Sequence, residues 1–266
     1  MINEKYLKLV SILREMNSVV VAFSGGVDST FLLKVAVDTL GTDRVLAVTA
    51  DSETYPSSEL NEAKELAEFI GVNHHVIETS ELAIPGYTEN DRNRCYFCKS
   101  SLFEHLLPVM EKQGFNNVVY GVIADDLNEF RPGMKAAKEM GIRGPLQEAN
   151  LFKDEIRELS REFDLPTWSK PSFACLSSRI AYGEKITIEK LTKVEKAEAY
   201  LKTLNIRQVR VRTHQEMARI EVEPNDMKIV LENHQLISKE LLNYGYKYIT
   251  LDLIGYKSGS MNKVLS

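Results

Sequence analysis

Apolar residues recur at helical spacing in Tyr6, Leu7, Val10, Ile12 and Leu13, and the chain then enters, at 18–23, a short apolar run rich in β-branched residues. Such a run predicts a parallel strand buried on both faces. A glycine-containing loop follows, and 30–40 returns to helical spacing before Gly41, a residue suited to closing a helix. The alternation continues with an apolar run at 45–49 and with Leu60, Ala63, Leu66, Ala67 and Ile70 on one face of 59–70 before Gly71. Further strand candidates lie at 72–77 and 117–122. Strands alternating with helices of about a dozen residues imply βαβ crossovers. The expected fold is therefore α/β, a doubly wound parallel sheet whose ligand site lies at the carboxyl ends of its strands.

Beyond Thr167 the texture changes. A Pro/Ser/Lys/Gly-containing stretch at 169–182 precedes a helical pattern at 188–204, alternating runs at 208–211 and 218–222, helical segments at 225–232 and 236–243, and a last strand candidate at 246–253. This predicts a smaller C-terminal α+β domain, dividing the chain into 1–168 and 169–266. No internal repeat or low-complexity tract is visible.

Composition narrows the class. With 44% hydrophobic and 27% charged residues, and no apolar run of roughly 18, the chain reads as soluble and globular rather than membrane-spanning. Residues 1–17 mix Glu4, Lys5, Lys8 and Arg14 with leucines, unlike a signal peptide, which predicts a cytoplasmic protein. A net charge of −5 offers no global attraction to a phosphate backbone and argues against a nucleic-acid substrate. Three cysteines, an odd count, do not read as a disulfide framework in a reducing compartment.

The candidate chemistry begins at Ser24-Gly25-Gly26-Val27-Asp28-Ser29, between the first strand and its helix. Backbone amides and the helix dipole favour an anion there, and two adjacent glycines let the backbone approach it. Ser24 and Ser29 add hydroxyls. Asp28 would be repelled by phosphate unless a divalent cation lies between, so Mg²⁺ is implied. The string is neither a Walker loop nor a dinucleotide fingerprint. It resembles the SGGxDS loop of the ATP pyrophosphatase family, which holds the β and γ phosphates of ATP while AMP is transferred. That resemblance implies an adenine nucleotide alpha hydrolase-like fold, places adenine and ribose near Thr49, Ala50 and Asp51, and puts Lys153 near the α-phosphate.

Cys95 and Cys98 form a CxxC pair in Arg94-Cys-Tyr-Phe-Cys-Lys99, and Cys175 stands alone in Ser172-Phe-Ala-Cys-Leu-Ser-Ser-Arg179. Three converging thiolates would supply three of the four ligands of a 4Fe-4S cluster. Zinc bound by three cysteines and His74 or His75 is the competing reading. Flanking cations, Arg94 and Lys99 in one case and Arg179 in the other, favour thiolate over inert buried thiols.

The loop, the CYFCK segment, Gly121-Val-Ile-Ala-Asp-Asp-Leu-Asn-Glu-Phe-Arg-Pro-Gly133, the segment around Cys175, and Arg210-Val-Arg-Thr-His214 with Ala218-Arg-Ile-Glu221 together resemble the LarE family over nearly the full length. The resemblance implies an ATP-dependent sulfurtransferase of nickel-pincer nucleotide biosynthesis. A carboxylate of a pyridinium dicarboxylate mononucleotide is adenylated, pyrophosphate leaves, and sulfur displaces AMP. Cys175 matches the cysteine that sacrificial members consume. The added Cys95 and Cys98 resemble the three-cysteine subtype, in which a 4Fe-4S cluster carries the sulfide. Ser178, Arg179, Arg210 and Arg212 become substrate residues, the last two on one strand face and suited to a phosphate. Asp125, Asp126 and Arg131 line the cleft, Glu198 and Glu221 lie near a metal or subunit contact, and the protein is a homo-oligomer. The sulfide source is not legible. Competing readings are a tRNA-thiolating enzyme of the same loop family and a non-catalytic adenine-nucleotide sensor.

Overall fold

The computed structural model describes residues 2–128, 131–257 and 259–261. It divides into two compact units, Met1–Ser80 with Cys95–Phe173, and Glu81–Arg94 with Ala174–Ser266. Residues 81–94, inside the first span of the sequence division, belong by contact to the second unit.

In the first unit, α1 (Ile2–Met16), β1 (Val19–Ala22), α2 (Val27–Leu40), β2 (Val45–Asp51), α3 (Ser57–Ile70) and β3 (Asn73–Glu78) follow the predicted alternation. They are succeeded by α4 (Arg94–Gln113), β4 (Asn117–Tyr120), α5 (Pro132–Glu139), α6 (Pro145–Glu148) and α7 (Lys153–Glu162). The four strands form a parallel sheet in the order β3-β2-β1-β4. β1 explains its own continuous apolar run: Val19 and Val21 pack into a core with Leu9, Leu13, Phe31, Leu32 and Ile156, while Val20 enters a second core with Leu46, Phe103, Leu106 and Val118. Alternate side chains thus serve opposite faces, and no polar face is left. The strand order reverses direction beside β1, between β2 and β4, which is where a doubly wound sheet opens a crevice at its carboxyl ends.

The second unit holds α8 (Ile188–Thr203), β5 (Val209–His214), β6 (Met217–Val222), α9 (Met227–Glu232), α10 (His234–Asn243) and β7 (Tyr248–Leu251). Its sheet is mixed: β5 and β6 are antiparallel, β6 and β7 parallel. Val209, Val211, Ala218, Ile220 and Val222 pack with Ala197, Leu201, Ile237 and Leu241. Residues 81–94 join this unit through Tyr87, whose hydroxyl donates to Ser177 Oγ at 2.8 Å, and Asn90, whose Nδ2 donates to the Ala181 carbonyl at 2.8 Å. Among the described residues no helix is long and apolar enough to cross a membrane.

Candidate functional site

The glycine loop sits where the fold places a ligand. β1 ends at Ala22 and α2 begins at Val27, earlier than the apolar periodicity indicates, so Val27, Asp28 and Ser29 form the first helical turn, whose amides lack intrahelical acceptors. Gly25 has φ of +60°, and a Cβ there would lie 3.2 Å from Ala63 of α3. Ser29 Oγ stands 3.0 Å from Ser24 Oγ and 3.3 Å from the Ser24 amide, closing the loop on itself. Gly121, just past β4, abuts the same turn: a Cβ there would fall 2.9 Å from the Ser29 amide nitrogen. The loop is thereby wedged between α3 and the segment following β4.

Asp28 and Lys153 meet across the crevice, with Lys153 Nζ 2.8 Å from each Asp28 carboxylate oxygen. Burial raises the Asp28 carboxyl above its ordinary value and Asp126 adds to the rise, while Lys153 opposes both. Asp125 accepts the Lys153 backbone N–H at 2.8 Å, at the start of α7. Asp126 accepts the Ile123 amide at 3.1 Å and pairs with Arg131 at 2.8 Å. Carboxylate oxygens beside a phosphate-type loop are the hard donors that Mg²⁺ takes along with nucleotide oxygens, so Asp28 is a residue that could hold that ion, in exchange for one of its contacts to Lys153.

At the end of β2, Thr49 is buried and donates to the Phe23 carbonyl at 2.7 Å, with His74 Nε2 2.8 Å from the same hydroxyl. Its side chain ties β2 to β3 and to Phe23 just past β1, while Ala50 and Asp51 are half-buried. Burial lowers the pKa of His74, helped by Lys64 and His75.

Two side chains that the motifs omit hold the loop from behind. Tyr55 donates its hydroxyl to the Ser24 carbonyl at 2.9 Å, and Lys170 Nζ donates to the Gly25 carbonyl at 3.1 Å. These partners lie 31 and 145 residues apart in the chain, so no local spacing signals them.

Cys95 and Cys98 lie at the second and fifth positions of α4, three residues apart and hence on one side of the helix. Cys95 is exposed, Cys98 and Cys175 are half-buried, and none forms a disulfide. Among the described residues no three His, Cys, Asp or Glu side chains gather as a ready metal site. The donor chemistry of the CxxC turn fits two irons' worth of thiolate ligation; Cys175 belongs to the other unit.

In the second unit Cys175 precedes a short turn, Leu176–Arg179, that Arg179 organises. The Arg179 fork is bidentate on Glu198, Nε to Oε1 and NH2 to Oε2, both 2.9 Å, and its NH1 donates to the carbonyls of Ala174 and Cys175 and to Ser178 Oγ. Glu198 also accepts the Val211 amide at 2.9 Å. Arg212 pairs with Glu221 at 2.8 Å and donates to the Ser178 carbonyl at 3.2 Å. Arg210 and Arg212 are both buried, so their row is no solvated strand face. Burial, then the nearby Arg179, pulls the Arg210 pKa down to about 10. Glu198 and Glu221 are thus placed as partners of arginines.

A parallel sheet with this loop at its reversal point defines a nucleotide-binding protein of the ATP pyrophosphatase class. The NAD synthase family model matches residues 3–91, the part that carries the loop. An uncharacterized protein of Synechocystis is 46% identical over the whole of both chains. The pyridinium-3,5-bisthiocarboxylic acid mononucleotide synthase of Lactiplantibacillus plantarum is 38% identical over 98% of this chain and 95% of its own. An uncharacterized protein of Methanocaldococcus jannaschii is 31% identical over 96% of this chain and 98% of its own. The chain belongs to the family of that synthase, the LarE family that its motifs resemble.

Proposed function

We propose that this protein uses ATP to adenylate a carboxylate of a pyridinium dicarboxylate mononucleotide and exchanges the activated oxygen for sulfur. The observation that carries the reading is the phosphate loop with Asp28 and Lys153 at the sheet's reversal point, in a chain 38% identical over nearly its whole length to a bisthiocarboxylic acid mononucleotide synthase. A carboxylate is a poor electrophile because its oxygens are poor leaving groups. Attack of a carboxylate oxygen on the α-phosphorus breaks the α–β bond, releases pyrophosphate and leaves an acyl adenylate. A sulfur nucleophile then adds to the acyl carbon and AMP departs with the original oxygen. Loop amides meet the charge developing on pyrophosphate, and Lys153 the charge at the α-phosphate. Mg²⁺ held by Asp28 would add neutralising charge there.

Arg210 and Arg212 bind the substrate phosphate in this reading, and the Arg179–Glu198 pair holds the turn bearing Ser178 and Cys175. Cys95, Cys98 and Cys175 would hold a 4Fe-4S cluster, which supplies an iron able to carry a transferable sulfide when bound. Alternatively Cys175 gives up its own sulfur: its Cβ–S bond breaks, the α-proton is lost, and dehydroalanine remains. The working form is a cytoplasmic homo-oligomer whose second unit contributes the subunit contact.

Iron and acid-labile sulfide are measured on anaerobically reconstituted wild type beside Cys98→Ala, with AMP and pyrophosphate assayed after ATP and substrate. About four irons per chain, lost in the variant, support the cluster. No iron, with Cys175 found as dehydroalanine by mass spectrometry, shows the sacrificial route instead. ADP as the nucleotide product sinks adenylation itself.

A further inference from the structure

The back of the phosphate loop carries a half-buried cationic contact that the chemistry above leaves unused. Lys170 Nζ lies 3.1 Å from the Gly25 carbonyl oxygen, 2.8 Å from Glu59 Oε2 and 2.9 Å from Glu62 Oε2, with its side chain 11% exposed. Arg157 holds the Lys170 backbone in turn, donating from NH2 to its carbonyl at 2.8 Å. Beside it the Tyr55 hydroxyl donates to the Ser24 carbonyl at 2.9 Å, with the Glu59 carbonyl a longer second acceptor at 3.3 Å. Two consecutive peptide carbonyls of the loop are therefore tied to side chains.

The consequence follows from the planar trans peptide, in which C=O and N–H point in opposite directions. The Ser24 carbonyl shares its peptide with the Gly25 N–H, and the Gly25 carbonyl with the Gly26 N–H. Fixing the carbonyls on Tyr55 and Lys170 aims both N–H groups away from those side chains. Glycine backbones rotate readily, and a flipped peptide would present oxygen, not hydrogen, to a phosphate. We infer that Lys170, with Tyr55, is a positioning residue that holds the Gly25 and Gly26 amides toward the terminal phosphates of ATP. Two glutamates already neutralise the Lys170 charge, so it acts through the loop and is no direct phosphate ligand. The inference rests on the reading that this loop binds ATP.

Isothermal titration of Mg·ATP, Mg·pyrophosphate and AMP against wild type, Lys170→Met, Lys170→Arg and Tyr55→Phe tests it. Wild type that binds neither ATP nor pyrophosphate overturns the loop reading itself. With binding present, Lys170→Met is expected to weaken ATP and pyrophosphate by about tenfold or more, the scale of one charge-assisted hydrogen bond, and AMP by less than about twofold. Lys170→Arg, which keeps donor and charge, regains most of the loss. Tyr55→Phe removes no charge, so the same selective weakening there identifies orientation rather than direct ligation, and it carries the test if Lys170→Met does not fold. Unchanged ATP affinity, or parallel loss of ATP and AMP affinity in both variants, overturns the assignment.

Discussion

Lys153 Nζ is equidistant from the two carboxylate oxygens of Asp28, 2.8 Å from each, although 125 residues separate them in the chain. Burial nevertheless outweighs that cation, and the Asp28 carboxyl stays above its ordinary value of 3.8. The folded chain therefore keeps this proton where the unfolded chain has released it. The stability this proton contributes is lost as pH rises from 3.8 through the folded value. Lys153→Met should move the Asp28 titration further up and deepen that loss, whereas Asp126→Asn should move it down. A carbon-detected NMR titration of Asp28 reads the shift, with thermal melts on either side of it reading the stability. An Asp28 that titrates identically in all three proteins contradicts the coupling.

Gly121 approaches the loop with no room for a side chain, and adding one methyl tests it. In Gly121→Ala the new Cβ would meet the Ser29 nitrogen at 2.9 Å and its Cα at 3.1 Å, both backbone atoms that cannot swing aside. The loop must shift or the end of β4 must. Overpacking of this kind costs about 1–3 kcal/mol, and the ATP-dependent reaction should fall by more than about tenfold because the displaced atoms are the anion-binding ones. Urea unfolding and pyrophosphate release measure the two effects, and full activity would mean that the loop does not use this geometry.

Much of this site was written in local sequence. The valine run of β1, the glycine loop and the periodicity of α2 each depend on neighbours within a few residues, so pattern alone reveals strand, loop and helix. The backing by Tyr55 and Lys170 does not, because it joins distant segments through single contacts to carbonyls. The start of α2 is misjudged by three residues since Val27, Asp28 and Ser29 are selected for the loop rather than for an apolar stripe. The helix carrying Cys95 and Cys98 contains Pro108, which obscures its continuity. The placing of residues 81–94 depends on buried side-chain hydrogen bonds such as Tyr87 to Ser177, 90 residues apart, which no composition shift marks.

Glu198 presents both oxygens to Arg179 and shares one with the Val211 amide, joining α8 to the Cys175 turn and to β5. Truncation to alanine would strand a guanidinium only 2% exposed. Glu198→Ala should destabilise by about 3–5 kcal/mol, and Arg179→Met in the same chain should recover a large part of it. Urea unfolding of the single and double variants measures the coupling. Because both oxygens accept N–H groups, a chelator should shift the melts of wild type and Glu198→Gln equally; a drop in wild type that Glu198→Gln does not share would assign Glu198 to a metal instead.

Asn90 separates backbone from side-chain effects at one buried position. It is fully buried at φ of +55°, its Nδ2 donates to the carbonyls of Ile180, Ala181 and Glu184 at 3.3, 2.8 and 3.1 Å, and its Oδ1 accepts from Arg94. Asn90→Gly deletes the hydrogen bonds but tolerates the left-handed backbone; Asn90→Ala deletes them and strains it. Both should lose about 2–4 kcal/mol for the unpaired buried groups, with alanine worse than glycine by about 1 kcal/mol. Urea unfolding compares them directly. Equal losses would mean that the backbone relaxes out of the left-handed region, and a loss below about 1 kcal/mol in both would mean that water replaces the amide at those three carbonyls.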